Sequence, residues 1–157
     1  MKMKKWKPYM AFIALAEAVG GLAGWLTREG VRAFDRIPKS EWTPPAPVFP
    51  VVWSVLFALM GVGAARVWLA PPSAERSRGL VLFFLQLAVN FTWSLLFFRL
   101  QAYGLSFFWL VLLWILILLM TLSFRKTDRA AAWLQLPYLA WVAFAGYLNC
   151  ATWLLSR

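Results

Sequence analysis

Two carboxamides, Gln86 and Asn90, share one helical face with Trp93 and Phe97, at spacings of i, i+4, i+7 and i+11 within an apolar run. Lipid offers an amide no partner, so this face must turn into a bundle, where the amides either bond other helices or line a pocket. A second stripe, Trp141, Ala145 and Leu148, keeps the same helical spacing, and Asn149 adds a further intramembrane amide. Glu17 is the one ionisable side chain well inside a hydrophobic run. It shares a face with Gly21 and Gly24, and Gly20-x-x-x-Gly24 is a small-x-x-x-small pattern suited to close helix approach. A carboxyl there reads either as hydrogen-bonded glue between helices or as a functional, proton-coupling group. There is no histidine and only one cysteine, Cys150. Zinc sites, hydrolytic triads and His-ligated haem therefore fall away as mechanisms, and no metal is expected. What remains is stacking and orientation. Indole and phenyl walls suit a large, flat, apolar ligand, and a few amides suit its polar edge.

The elements that must carry these residues follow from composition. Of 157 residues 62% are hydrophobic and 14% charged, against about half and about a quarter in a soluble domain. The chain reads as an integral membrane protein in the lipid bilayer. Five apolar runs reach the length of about 20 residues that a helix needs to cross the hydrocarbon. They lie near residues 9–26, 48–70, 80–98, 105–124 and 131–155. Runs this long satisfy their backbone in lipid only as helices. The expected fold is an all-α membrane protein, one domain over residues 1–157, built as a bundle of five transmembrane helices. The +10 charge falls between the apolar runs rather than along one face, so no nucleic-acid partner is expected. Lys2, Lys4, Lys5 and Lys7 precede a run that continues for a full span without a small-residue cleavage site, which predicts a retained helix.

Three connectors are short, which predicts sequential antiparallel neighbours. The first, residues 27–47, is long and ends in the stretch from Trp42 to Trp53 with Pro44, Pro45, Pro47 and Pro50. Prolines fix φ and disfavour helix in the preceding residue, so the stretch reads as a stiff, extended lead-in, with Pro50 tolerated in the first turn of the second span. It is either a lid folded back over the bundle or an interfacial connector whose tryptophans mark the headgroup level. The fourth span is nearly pure Leu, Trp, Phe and Ile, which predicts a helix facing lipid or a partner subunit around most of its circumference, Trp114 included. Pro137 falls in the first third of the fifth span. Ten lysines and arginines lie on the side of the N-terminus and six on the side of the long loop, which predicts a cytoplasmic N-terminus.

The chain resembles the translocator protein / tryptophan-rich sensory protein family (TspO/MBR, formerly peripheral benzodiazepine receptors). The residues carrying this are Trp42-x-Pro44-Pro45, Phe49-Pro50-x-Val52-Trp53, and Gln86-Leu-Ala-x-Asn90-x-x-Trp93 with Phe97-Phe98. The longest run is Pro137-Tyr-Leu-Ala-Trp141-x-Ala-Phe-Ala145-x-x-Leu148-Asn149. The resemblance spans essentially the whole chain. It implies a five-helix bundle, usually dimeric, with a pocket beneath the first loop for porphyrins and for isoquinoline- or benzodiazepine-like molecules. Carried over by motif, ligand binding would fall to Trp42, Pro44, Pro45, Trp53, Asn90, Trp93, Trp141, Ala145 and Leu148. Trp53 and Trp141 match tryptophans implicated in light-driven porphyrin breakdown by bacterial relatives, which gives them a photochemical role by the same carry-over. The ligand would be protoporphyrin IX or a related tetrapyrrole, with no cofactor required, in a bacterial cell membrane. Three positions depart from the family pattern. Ala33-Phe34 stands for a Trp-Tyr pair, Lys39-Ser40 for Lys-Pro, and the sterol motif of animal members is absent after Leu148-Asn149. A sterol ligand is not expected.

Three functions follow. The first is a porphyrin-binding membrane protein acting as sensor, carrier or scavenger. The second is an enzyme that degrades bound porphyrin with light and oxygen. The third is a small proton-coupled multidrug-type exporter using Glu17, which needs that carboxyl to face a water-accessible cavity.

Overall fold

A computed structural model describes residues 5–157; Lys2 and Lys4, counted above, lie outside the described residues. The five expected spans are all helical. In chain order the elements are α1 (Trp6–Leu26), α2 (Arg28–Phe34), α3 (Val48–Trp68), α4 (Ala74–Ser94), α5 (Tyr103–Thr127), α6 (Arg129–Trp133) and α7 (Leu136–Leu155). A π-helical turn, Leu95–Arg99, extends α4. Among the described residues five helical stretches are long and apolar enough to cross a membrane: α1, α3, α4 with its π-turn, α5, and α6 with α7.

α1 packs chiefly on α3, α4 on α5, and α5 also on α7. The α1–α3 seam is close because of glycine on each side. A Cβ at Gly61 would lie 2.5 Å from Ile13 Cα, and one at Gly20 would strike the Phe57 ring. Gly21 and Gly24, expected to serve the same purpose, have nothing within 4 Å of a built Cβ. Of this cluster Gly20 is the glycine at the close approach.

Four expectations need correction. The first connector is not an uninterrupted loop, because α2 forms within it. Glu29 in its first turn and Arg32 in its last suit the helix dipole, and Lys39 Nζ donates to the carbonyls of Phe34, Asp35 and Ile37 at its end. The proline stretch is turned rather than extended, with Thr43 N–H bonding Ser40 O and Val48 N–H bonding Pro45 O. Pro50 does fall in the first turn of α3.

The fourth span, α5, is exposed along Phe108, Val111, Ile115, Leu119 and Leu122 but joins the core with its other side. Leu110, Leu113, Ile117, Met120 and Phe124 are all buried along one side. Trp114 is partly buried and donates Nε1–H to Leu139 O at 3.0 Å, and Trp109 does the same to Val89 O. Pro137, finally, sits at the start of α7 rather than inside a helix. The chain breaks at Leu134 and Gln135, and buried Gln135 donates to Leu59 O and Ala131 O across the break. Asp128 caps α6 through Ala131 N–H and pairs with Arg66 at 3.2 Å, so Arg66 ends α3 in an ion pair.

Candidate functional site

α3 and α7 run past each other with large side chains between them, leaving an apolar groove of about 510 Å³. Val52 and Leu56 form one wall, Trp141 and Phe144 the other, and Pro137 and Ala140 continue it. Val51 and Val55 make the outer rim and are 65% and 54% exposed. Phe49 closes on Trp141 with ring centroids 5.9 Å apart, edge to face. Behind this wall Trp53 packs edge-on against Tyr138 at 6.2 Å and beside Phe57 at 5.6 Å.

The two tryptophans therefore occupy different places. Trp141 lines the groove, and its indole Nε1–H is buried with no acceptor among the described residues. Trp53 belongs to the aromatic layer next to Tyr138 and is not among the lining residues. Ala145 and Leu148 follow Trp141 along α7 and are both buried.

Asn90 and Trp93 are engaged by the bundle itself. Asn90 Nδ2 donates to Tyr138 Oη, which donates to Gln86 Oε1, both at 2.6 Å. Trp93 Nε1 donates to Asn149 Oδ1 at 3.0 Å, and Ser106 Oγ donates to the same oxygen at 3.1 Å. Asn149 Nδ2 in turn donates to Tyr103 O at 2.8 Å. Of the two readings left open for the amide face, helix-to-helix bonding describes this arrangement. A buried donor or acceptor without a partner is costly, and here each amide finds one.

Among the described residues the first loop reaches α7 by one side-chain hydrogen bond, Ser40 Oγ to Tyr147 Oη at 2.6 Å. Trp42 is 70% exposed, with only its backbone N–H tied back to Ser40 Oγ. Pro44 is partly buried and Pro45 exposed. The loop is thus fastened beside the bundle while its tryptophan stays outside. Glu17 is partly buried, does not line the groove, and makes no hydrogen bond or ion pair among the described residues, so it is not glue within this chain.

Sequence reasoning passed over Tyr138, Ser106, Ser40 and Tyr147. Tyr138 had a visible signal, because it lies three residues before Trp141 on the same stripe of α7. Ser106 stands near the start of the run 105–124, whose other polar residues, Thr121 and Ser123, lie at its far end.

Residues 12–154 match the model of the TspO/MBR family. "Tryptophan-rich protein TspO" of Chlorobaculum tepidum is 41% identical over 120 residues, 74% of each chain. "Protein CrtK" of Rhodobacter capsulatus is 36% identical over 143 residues, covering 90% of this chain and 89% of its own. "Translocator protein" of Homo sapiens is 34% identical over 161 residues, covering 94% and 89%. Five apolar helices and these matches agree: the chain is an integral membrane protein of the TspO/MBR family.

Proposed function

We propose that this protein binds a porphyrin, or a flat apolar molecule of the isoquinoline or benzodiazepine kind, in the groove between α3 and α7. The observation that carries this is the unpartnered indole N–H of Trp141 in the wall of an otherwise apolar groove. A ligand laid against that wall stacks on Trp141 and Phe144 and supplies the missing acceptor from its polar edge. The groove's volume falls in the range of about 300–1,000 Å³ usual for small-molecule sites. The test is titration of the purified chain with protoporphyrin IX in the dark. Saturable quenching of tryptophan fluorescence, reduced in Trp141→Phe, is expected. Linear, unsaturable quenching identical in both proteins would remove the groove as a site.

A second reading, light-driven breakdown of the bound porphyrin, draws support from the oxidisable rings of Trp141 at the groove and of Trp53 and Tyr138 behind it. An excited macrocycle would draw an electron from the adjacent indole, with dioxygen as terminal oxidant. Bleaching no faster than in detergent alone leaves the binder and eliminates the enzyme.

The ten-to-six basic asymmetry supports a cytoplasmic N-terminus in a bacterial cell membrane. Alkaline phosphatase fused after Arg157 should then be active, and an inactive fusion alongside an active one in the α3–α4 turn reverses the topology. A homodimer is supported by the outward stripe of Ala14, Ala18 and Gly21 on α1. In a Cys150→Ser background, single cysteines on α1 or α4 should cross-link in a bilayer. Failure of both, with no other helix cross-linking, makes the protein a monomer.

A further inference from the structure

A second cavity, of about 500 Å³, lies at the loop-side end of the bundle, where α1 passes into α2 and the π-turn passes into α5. Its lining is unlike that of the groove. Arg28 and Arg99 stand in its wall together with Glu29, Gln101 and Trp25. Among the described residues neither arginine is ion-paired. Arg28 spends one donor, Nη1, on Trp25 O at 2.6 Å, and its guanidinium lies 4.6 Å over the Trp25 ring. That contact holds the fork in place and leaves its other donors free. Arg76 makes the corresponding contact with Trp68 but commits both Nε and Nη2 to the Trp68 carbonyl.

The cavity is also unusually constrained in its backbone. Gly30 lies so close to the Phe98 carbonyl that any Cβ would collide with it. The π-turn Leu95–Arg99 delivers Arg99 to the cavity, and Gln101 follows at φ 53°, the one non-glycine residue with positive φ among those described. π-turns and left-handed non-glycine residues cluster where a structure holds something specific. Both helix ends here are ends of membrane spans, so the cavity sits at headgroup level, and Trp25, 60% exposed, is an interfacial side chain beside it.

We infer that this cavity is a phospholipid headgroup site, with Arg28 and Arg99 taking the phosphodiester. Two guanidinium groups and one carboxylate leave a net single positive charge, which matches one phosphodiester. Arginine is suited to phosphate because its planar fork presents two parallel donors. Glu29 accepts from a hydroxyl or ammonium group beyond the phosphate, and Trp25 and Leu26 flank the glycerol end. The site is on a different seam of the bundle from the groove and stands independently of the ligand proposed there.

The test uses the full chain, delipidated in a neutral detergent, with the thermal unfolding midpoint followed against added dihexanoyl phosphatidylglycerol or phosphatidylethanolamine. Both should raise the midpoint saturably. Dihexanoyl glycerol, which lacks the phosphate, and inorganic phosphate at the same concentration should not. The half-saturating concentration should rise about fivefold for each arginine removed in Arg28→Gln and Arg99→Gln. Arg32→Gln with Arg36→Gln removes the same charge from exposed positions of the same connector and should leave it unchanged. Arg99→Gln alone carries the test if loss of the Arg28 cap prevents folding. The inference is overturned if Arg99→Gln binds as the parent does, or if the Arg32/Arg36 pair weakens binding equally. A free-anion site replaces it if inorganic phosphate matches the lipids.

Discussion

The Tyr138 hydroxyl donates to Gln86 Oε1 at 2.6 Å while accepting from Asn90 Nδ2 at the same distance, so one buried phenol joins α7 to two turns of α4. Tyr138→Phe keeps the ring and removes both bonds. Interhelical hydrogen bonds in membrane proteins contribute about 0.6 kcal/mol on average and up to about 1.7 kcal/mol. The expected loss for the pair is about 1–2 kcal/mol, read as a lower midpoint in thermal or SDS-induced unfolding. An unchanged midpoint would mean that the chain of bonds does not hold these helices together.

Trp141→Phe should weaken protoporphyrin binding by less than about tenfold, or about 1.4 kcal/mol, because much of the stacking surface remains while the indole N–H is lost. Trp53→Phe should weaken it less, since Trp53 packs on Tyr138 rather than in the groove lining. Light-driven bleaching, where present, should fall further than affinity in both. Trp114 does not serve as a neutral control, because its N–H holds Leu139 O; Trp133, 69% exposed, does. Equal losses in Trp133→Phe and Trp141→Phe would remove the groove assignment.

Ser40 and Tyr147 form the only side-chain hydrogen bond between the first loop and α7 among the described residues. Tyr147→Phe and Ser40→Ala should each speed trypsin cleavage at Arg36 and Lys39 by a few fold. The double substitution should do no more than Ser40→Ala alone, since that change already removes the bond to Tyr147 together with the acceptor of the Trp42 N–H. Additive acceleration would show that the two side chains act separately.

Gly61→Ala places a Cβ 2.5 Å from the Ile13 backbone, and a backbone cannot swing aside as a side chain can. Overpacking of this kind costs about 1–3 kcal/mol, so the unfolding midpoint should fall. Gly24→Ala meets nothing within 4 Å and should leave the midpoint unchanged or slightly raised. If both behave alike, the α1–α3 seam is not where the two helices are held.

The five spans were legible because hydropathy reports burial away from water, and both lipid and protein interior satisfy it. For the same reason the sequence misjudged α5. A leucine against lipid and a leucine against α4 look alike, and no hydrophobic driving force separates them. Leu113 and Ile117 are buried where a lipid-facing surface was expected. The break before α7 was half visible: Pro137 marked it, but Gln135, whose amide bridges the break to α3, was not used. Of the stripe Trp141, Ala145 and Leu148, Trp141 lines the groove, whereas Ala145 and Leu148 are buried and are not among its lining residues. Tyr138 on that stripe was passed over, and the partners of Asn90 and Trp93 depend on helix rotations that spacing alone does not specify.

The rim of the groove, Val51 and Val55, is exposed along the flank of α3, a helix long and apolar enough to cross a membrane, so in a bilayer the groove opens toward lipid. A molecule that occupies it is therefore recruited by diffusion in the plane of the bilayer. The concentration that governs occupancy is its mole fraction in the lipid, set first by partitioning out of water. Dissociation constants expressed per litre of sample should rise in proportion to the amount of lipid added, while the same data expressed per mole of lipid should coincide. Two proteins with identical grooves would then differ in sensitivity simply by residing in membranes that dissolve the ligand differently.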